Sequence, residues 1–119
     1  MSDNALNIIE ALKLKNDDEA IDVLRDVGTN SSREDVREKT VEALISKNSD
    51  KALRVLVANE GKGINDLSTK VAFSTIAQLV SLQDKTELIK ILDETINDNV
   101  PDEVKITARS LKTLITLSE

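Results

Sequence analysis

The chain has 119 residues, with 22 acidic against 16 basic side chains and a net charge of −6 at neutral pH. It contains no cysteine, histidine, tryptophan or tyrosine, and a single phenylalanine, Phe73. Disulfides, thiolate metal sites and histidine-based acid–base chemistry are therefore excluded, the core has to be aliphatic, and general affinity for phosphate backbones is disfavoured.

No apolar run approaches the ~20 residues that span a bilayer. The opening Met1-Ser2-Asp3-Asn4 lacks the charged-then-apolar pattern of a secretion signal. The expectation is one cytoplasmic domain over 1–119. Glycine occurs three times and proline once, too little punctuation for a turn-rich β protein.

Apolar periodicity instead predicts an all-α chain of about seven helices. The first covers about 3–15, with Ala5, Ile8, Ile9 and Leu12 on one stripe. The second, about 17–27, carries Ala20, Ile21, Val23, Leu24 and Val27, with Asn16 as its cap and Gly28 as its stop. The third, about 33–46, follows Ser32 as cap. The fourth, about 50–59, follows Ser49 and is apolar on most sides through Ala52, Leu53, Val55, Leu56 and Val57, as a sandwiched helix is. The fifth, about 65–82, holds Leu67, Val71, Ile76, Leu79 and Val80. The sixth, about 85–97, opens with Asp84 and Glu87 at capping-box spacing. The seventh, about 101–117, starts with Pro101 at its first position, followed by Asp102 and Glu103 at the positive end of the helix dipole.

A fixed period runs through the odd-numbered helices. Val36, Val41, Leu44 and Ile45 recur 35 residues later as Val71, Ile76, Leu79 and Val80, and again as Ile106, Leu111, Leu114 and Ile115. Thr40, Thr75 and Ser110 hold the position before the second aliphatic. Such a period marks a stacked repeat whose units close their cores on one another. Short loops pair the second helix with the third, the fourth with the fifth and the sixth with the seventh. The units are then 17–48, 49–83 and 84–119, with 1–16 as a capping helix.

The last unit, from Leu88 through Ile96, Asp98, Pro101, Val104-Lys105 and Ala108 to Leu111, resembles a HEAT repeat. The first unit shares the pattern through Asp35-Val36-Arg37 and Ala43-Leu44, whereas the glycine-rich turn and Thr69-Lys70 of the middle unit depart from it. The segment 88–114 is also similar, more weakly, to an uncharacterised family of short archaeal helical proteins, which brings no function with it. The HEAT resemblance implies an α-solenoid of three antiparallel helix pairs, with second helices lining a concave side that serves as a scaffold for other proteins. Aligning Val36-Arg37 with Val104-Lys105 gives an offset of 68 residues where the aliphatic positions give 70. The aliphatic register is expected to decide which residues are buried.

Candidate chemistry is sparse. The pairs Asp17-Asp18, Asp93-Glu94 and Asp102-Glu103 fall near helix ends, where capping and the dipole explain them. Asp93, Asp98 and Asp102 lack EF-hand spacing. Gly61-Lys62-Gly63 fails as a phosphate loop, since Leu56 and Gly63 stand where a Walker motif needs glycine and a hydroxyl. No enzyme, metal or cofactor is expected.

The fifth helix is nearly uncharged at its non-core positions, which include Lys70, Ser74, Thr75 and Gln78. Charge depletion at the centre of a patch is typical of interface cores. These four, edged by Arg37, Lys39, Lys105 and Arg109, form the expected partner-binding groove for another protein. Leu117 in the last turn offers a docking residue for a partner or a second copy. The alternative is a nucleic-acid or nucleotide-handling protein that uses a local basic ridge.

Overall fold

A computed structural model describes residues 3–119. Among these it shows seven α-helices and no strand: α1 (Asn4–Leu14), α2 (Asp18–Asp26), α3 (Glu34–Lys47), α4 (Asp50–Val57), α5 (Thr69–Val80), α6 (Thr86–Ile96) and α7 (Asp102–Ser118). None is long and apolar enough to cross a membrane. The caps fall one residue from several expected places. Asp17 rather than Asn16 caps α2, accepting from the Ala20 amide at 2.8 Å. Ser49 and Ser68 cap α4 and α5 through the amides of Ala52 and Val71. Arg33 holds the cap position of α3 without a side-chain bond, and Pro101 sits at the cap of α7 rather than inside it.

Two 3-10 turns, Gly28–Asn30 and Gly63–Asn65, precede α3 and α5 and lie 35 residues apart. Each packs on the helix before it and the helix after it. Gly63 adopts φ +57°, and a Cβ there would lie 2.5 Å from the Leu56 backbone, so only glycine fits. Asn65 then donates its side-chain amide to the carbonyls of Val57 and Asn59, both at 3.2 Å, tying the turn to the end of α4. The second turn therefore takes Asn65, which the sequence assigned to the start of the fifth helix, and α5 begins only at Thr69. Between α6 and α7 there is no such turn, and the two helices pack directly.

Helix α3 lies against α1 and α5, while α4 lies against α2 and α6, and α7 rests on α6 and α5. The extents are 43 × 26 × 26 Å. One continuous aliphatic cluster fills the interior, and Leu24, Leu44, Leu53, Leu56, Leu79, Leu88, Leu92 and Ile115 are among its largest fully buried side chains. Helix α4 buries Ala52, Leu53, Val55, Leu56 and Val57, as a sandwiched helix should. The core threonines are satisfied locally. Thr40, Thr75 and Thr95 are buried, and each hydroxyl donates to the carbonyl four residues back (Val36, Val71 and Ile91) at 2.7 Å.

The 35-residue register holds between α3 and α5, where Val36 and Val71, Thr40 and Thr75, and Leu44 and Leu79 are all buried. It fails at α7. There Val104, Ala108, Leu111 and Ile115 are buried, whereas Ile106 is 58% and Leu114 41% exposed. The expectation that the aliphatic register decides burial is thus corrected for the opening of α7, where Val104 and Ala108 follow the 68-residue alignment. The reason is helical phase. Val104, Ala108, Leu111 and Ile115 form one stripe, and Ile106 stands about 200° around the axis from Val104.

Candidate interaction surface

The eight residues expected to form one groove do different work. Arg37 is an internal tie. Its Nε and Nη2 reach Asp66 at 3.0 and 3.2 Å, and its Nη1 donates to the Ser31 carbonyl at 3.0 Å. The Asp66 side chain is 3% exposed, and it also accepts from the Ser68 amide at 2.9 Å. The carboxylate holds the Arg37 guanidinium pKa above its ordinary value. Thr75 is fully buried with its hydroxyl bonded to Val71, so it offers a partner nothing. Lys39 is tied to Glu10 of α1 at 3.2 Å. Those three leave the candidate surface. Lys70 is exposed on α5, while Ser74 and Gln78 are half-buried beside it, Gln78 donating to Ser74 at 3.3 Å. Lys105 is half-buried and Arg109 exposed on α7.

Phe73 was given no role from the sequence, Ile106 was expected in the aliphatic register, and Leu117 was offered as a docking residue. Phe73, the chain's single aromatic, is 68% exposed on α5. Ile106 and Leu117 are exposed on α7, where Arg109, Ser110, Thr113, Leu114 and Leu117 line a shallow depression of about 360 Å³. Phe73 and Ile106 are equivalent positions. Each follows by two residues the buried valine that opens its helix's core stripe, Val71 or Val104, and the same position on α3 is Glu38 after Val36. One turn later come Ala77, Ser110 and Glu42 respectively. Because α5 packs beside α7, at an axial separation of about 10 Å, the outer side of these two helices is apolar where that of α3 is acidic. The signal in the sequence was an aromatic placed out of phase with its helix's core stripe.

The glycine–lysine–glycine turn is structural. Lys62 Nζ donates to the Arg25 carbonyl at 3.1 Å and to Thr29 Oγ1 at 2.8 Å, closing the carboxyl end of α2. Burial pushes the Lys62 pKa down.

The carboxyl groups that depart from their ordinary range all fall below it. Bonding to Arg33 lowers Asp3 and Asp35. Arg25 lowers Asp26, and Lys13 lowers Glu42. Arg54, then Lys90, hold Asp50 far down, while backbone amides lower Asp17 and Asp84. Asp93, Asp98 and Asp102 do not gather, and no cluster of three metal-ligating side chains occurs among the described residues.

A carboxyl whose folded pKa lies below its unfolded value adds stability above the unfolded pKa, and that stability is lost as pH falls through the folded pKa. The chain has no histidine. The denaturation midpoint is therefore expected to stay level between about pH 5.5 and 7.5 and to fall below about pH 4. Urea titrations across that range check it, and a step near neutrality would contradict it. The drop on the acid side should be gentle, because most of these carboxylates are well exposed and screened by solvent.

No family model, curated protein or solved structure matches this chain.

Proposed function

We propose that this chain is a non-catalytic protein-interaction scaffold, built as a short HEAT-like α-solenoid. Support for the solenoid comes from the neighbour pattern, in which α3 touches α1 and α5, α4 touches α2 and α6, and α7 touches α5. The two 3-10 turns and the two back-bonded threonines at a spacing of 35 add to it. The single observation that carries the functional reading is the 68% exposure of Phe73 on α5, with Ile106 in the equivalent place on α7. Aromatic residues are enriched where protein interfaces concentrate their binding energy, and charged residues are depleted there. Lys70, Ser74, Gln78 and Arg109 border this face, and the groove read from the sequence contracts to it.

Phe73→Asp is expected to leave the melting temperature nearly unchanged, since a surface substitution usually shifts stability by no more than about 0.5 kcal/mol. The same substitution is expected to abolish capture of the partner from a nuclease-treated native extract. Capture at wild-type yield by the Phe73→Asp protein would overturn the assignment of this face.

A further inference from the structure

We infer that the outer side of α5 and α7 docks an acidic amphipathic helix of another protein, an inference that rests on the scaffold reading and names the chemistry of its partner. The chain holds 22 acidic residues, yet none lies between Leu67 and Gln83 or between Val104 and Ser118. At the chain's average density these two stretches would contain about six. They do contain Lys70, Lys105, Arg109 and Lys112. Lys112 is paired with Asp93. Lys70 is 71% exposed and reaches Glu38 only at 4.0 Å. Among the described residues no carboxylate lies within ion-pair distance of Lys105 or Arg109. The two helices that expose Phe73, Ile106, Leu114 and Leu117 are thus an apolar and basic island on a protein of net charge −6. An acidic ligand complements that island, and the rest of the surface repels it.

Shape points to a helix. Two helices packed side by side leave a groove along their axes that accepts the apolar stripe of a third. Ile106, Ser110, Leu114 and Leu117 supply a stripe of matching pitch, with the small Ser110 allowing close approach. Glu38 and Glu42 on α3 bound the island and would turn the acidic side of the ligand toward α7. A lipid bilayer fits less well, because Gln78, Arg109 and Thr113 interrupt the apolar residues of this face and would have to be desolvated. A nucleic-acid strand fits less well too, because Phe73 is a lone stacking platform.

The test is selection of displayed helical peptides of about 15 residues on the full chain. Enriched peptides are expected to carry apolar residues at i, i+4 and i+7 with several Asp or Glu. Synthetic versions are expected to bind the Lys70→Glu/Arg109→Glu protein at least about tenfold more weakly, while its circular-dichroism melt stays at the wild-type value. Enrichment of basic or uncharged peptides, or affinity unchanged by the double reversal, would overturn the acidic partner and leave the scaffold reading standing. Peptides that bind Phe73→Asp as well as wild type would remove the face itself. Phe73-dependent binding to phosphatidylserine vesicles or to oligo(dT) that is tighter than the best peptide would overturn the inference for a membrane or a nucleic acid. A dimer in sedimentation velocity that Phe73→Asp dissolves would assign the face to a second copy instead.

Discussion

Leu79→Asp is expected to leave the chain without a cooperative thermal transition. Leu79 is fully buried in the middle of α5. The substitution removes its apolar contacts, which costs about 2–5 kcal/mol in a close-packed core. It also places a carboxylate where no cation is available, which adds roughly 3 kcal/mol or more. The sum is comparable to the whole stability of a small domain, about 5–15 kcal/mol. Leu114→Asp is the informative control. Leu114 is the residue that the 35-residue aliphatic register equates with Leu79, yet it is 41% exposed. Its replacement is expected to cost about 1 kcal/mol or less. Circular-dichroism melts of the two variants decide the matter. Equal damage from both would restore the aliphatic register to α7 and contradict the packing described above.

Asp66→Ala is expected to lower stability by about 2–4 kcal/mol. Arg37 and Asp66 are 29 residues apart in sequence and join the opening of α3 to the turn before α5. Their side chains are 16% and 3% exposed. Truncating the carboxylate strands a guanidinium that keeps only its bond to the Ser31 carbonyl. It also releases the Ser68 amide at the entry to α5. Most of the penalty therefore belongs to the orphaned charge, and the double variant Arg37→Ala/Asp66→Ala should be no less stable than Asp66→Ala alone. Chemical denaturation of the single and double variants measures this, and simple additivity would sink it. Glu94→Ala provides the contrast. It breaks a 2.6 Å contact to Arg54, but both side chains are 40% or more exposed, and the expected loss is below about 1 kcal/mol.

These two pairs of variants also mark what could be read from the chain. Helix positions were legible because the 3.6-residue apolar period is a local property, and α3 and α4 fall within two residues of their expected ends. The repeat was legible between α3 and α5, down to the threonines that bond backward to Val36 and Val71. One further part of it was present and unread. Gly28 and Gly63 stand 35 residues apart, each followed two positions on by an asparagine, and they open the two 3-10 turns. Phase in α7 was not legible, because Val104 and Ile106 are both aliphatic and only the neighbours α5 and α6 decide which one turns inward.

The candidate surface was half legible. Lys70, Ser74 and Gln78 were chosen because the non-core positions of the fifth helix are nearly uncharged, and the structure leaves Lys70 exposed with Ser74 and Gln78 half-buried. Thr75 was misassigned because a hydroxyl counts as polar in sequence while a bond to the preceding turn lets it sit in the core. Arg37 was misassigned because its partner lies in another unit, at a separation that no local pattern reveals. Phe73 was passed over because a large apolar residue is expected inside, and only its phase relative to Val71 shows that it faces out.

The exposed side of α5 and α7 is proposed to bind another protein. The most direct measurement is quantitative affinity capture from nuclease-treated native extract with wild type, Phe73→Asp, and Asn97→Asp as an exposed control on the α6 side. The expected result is a protein captured equally by wild type and Asn97→Asp and absent with Phe73→Asp, with all three melting alike. Capture that survives Phe73→Asp, or is lost equally with Asn97→Asp, would contradict it.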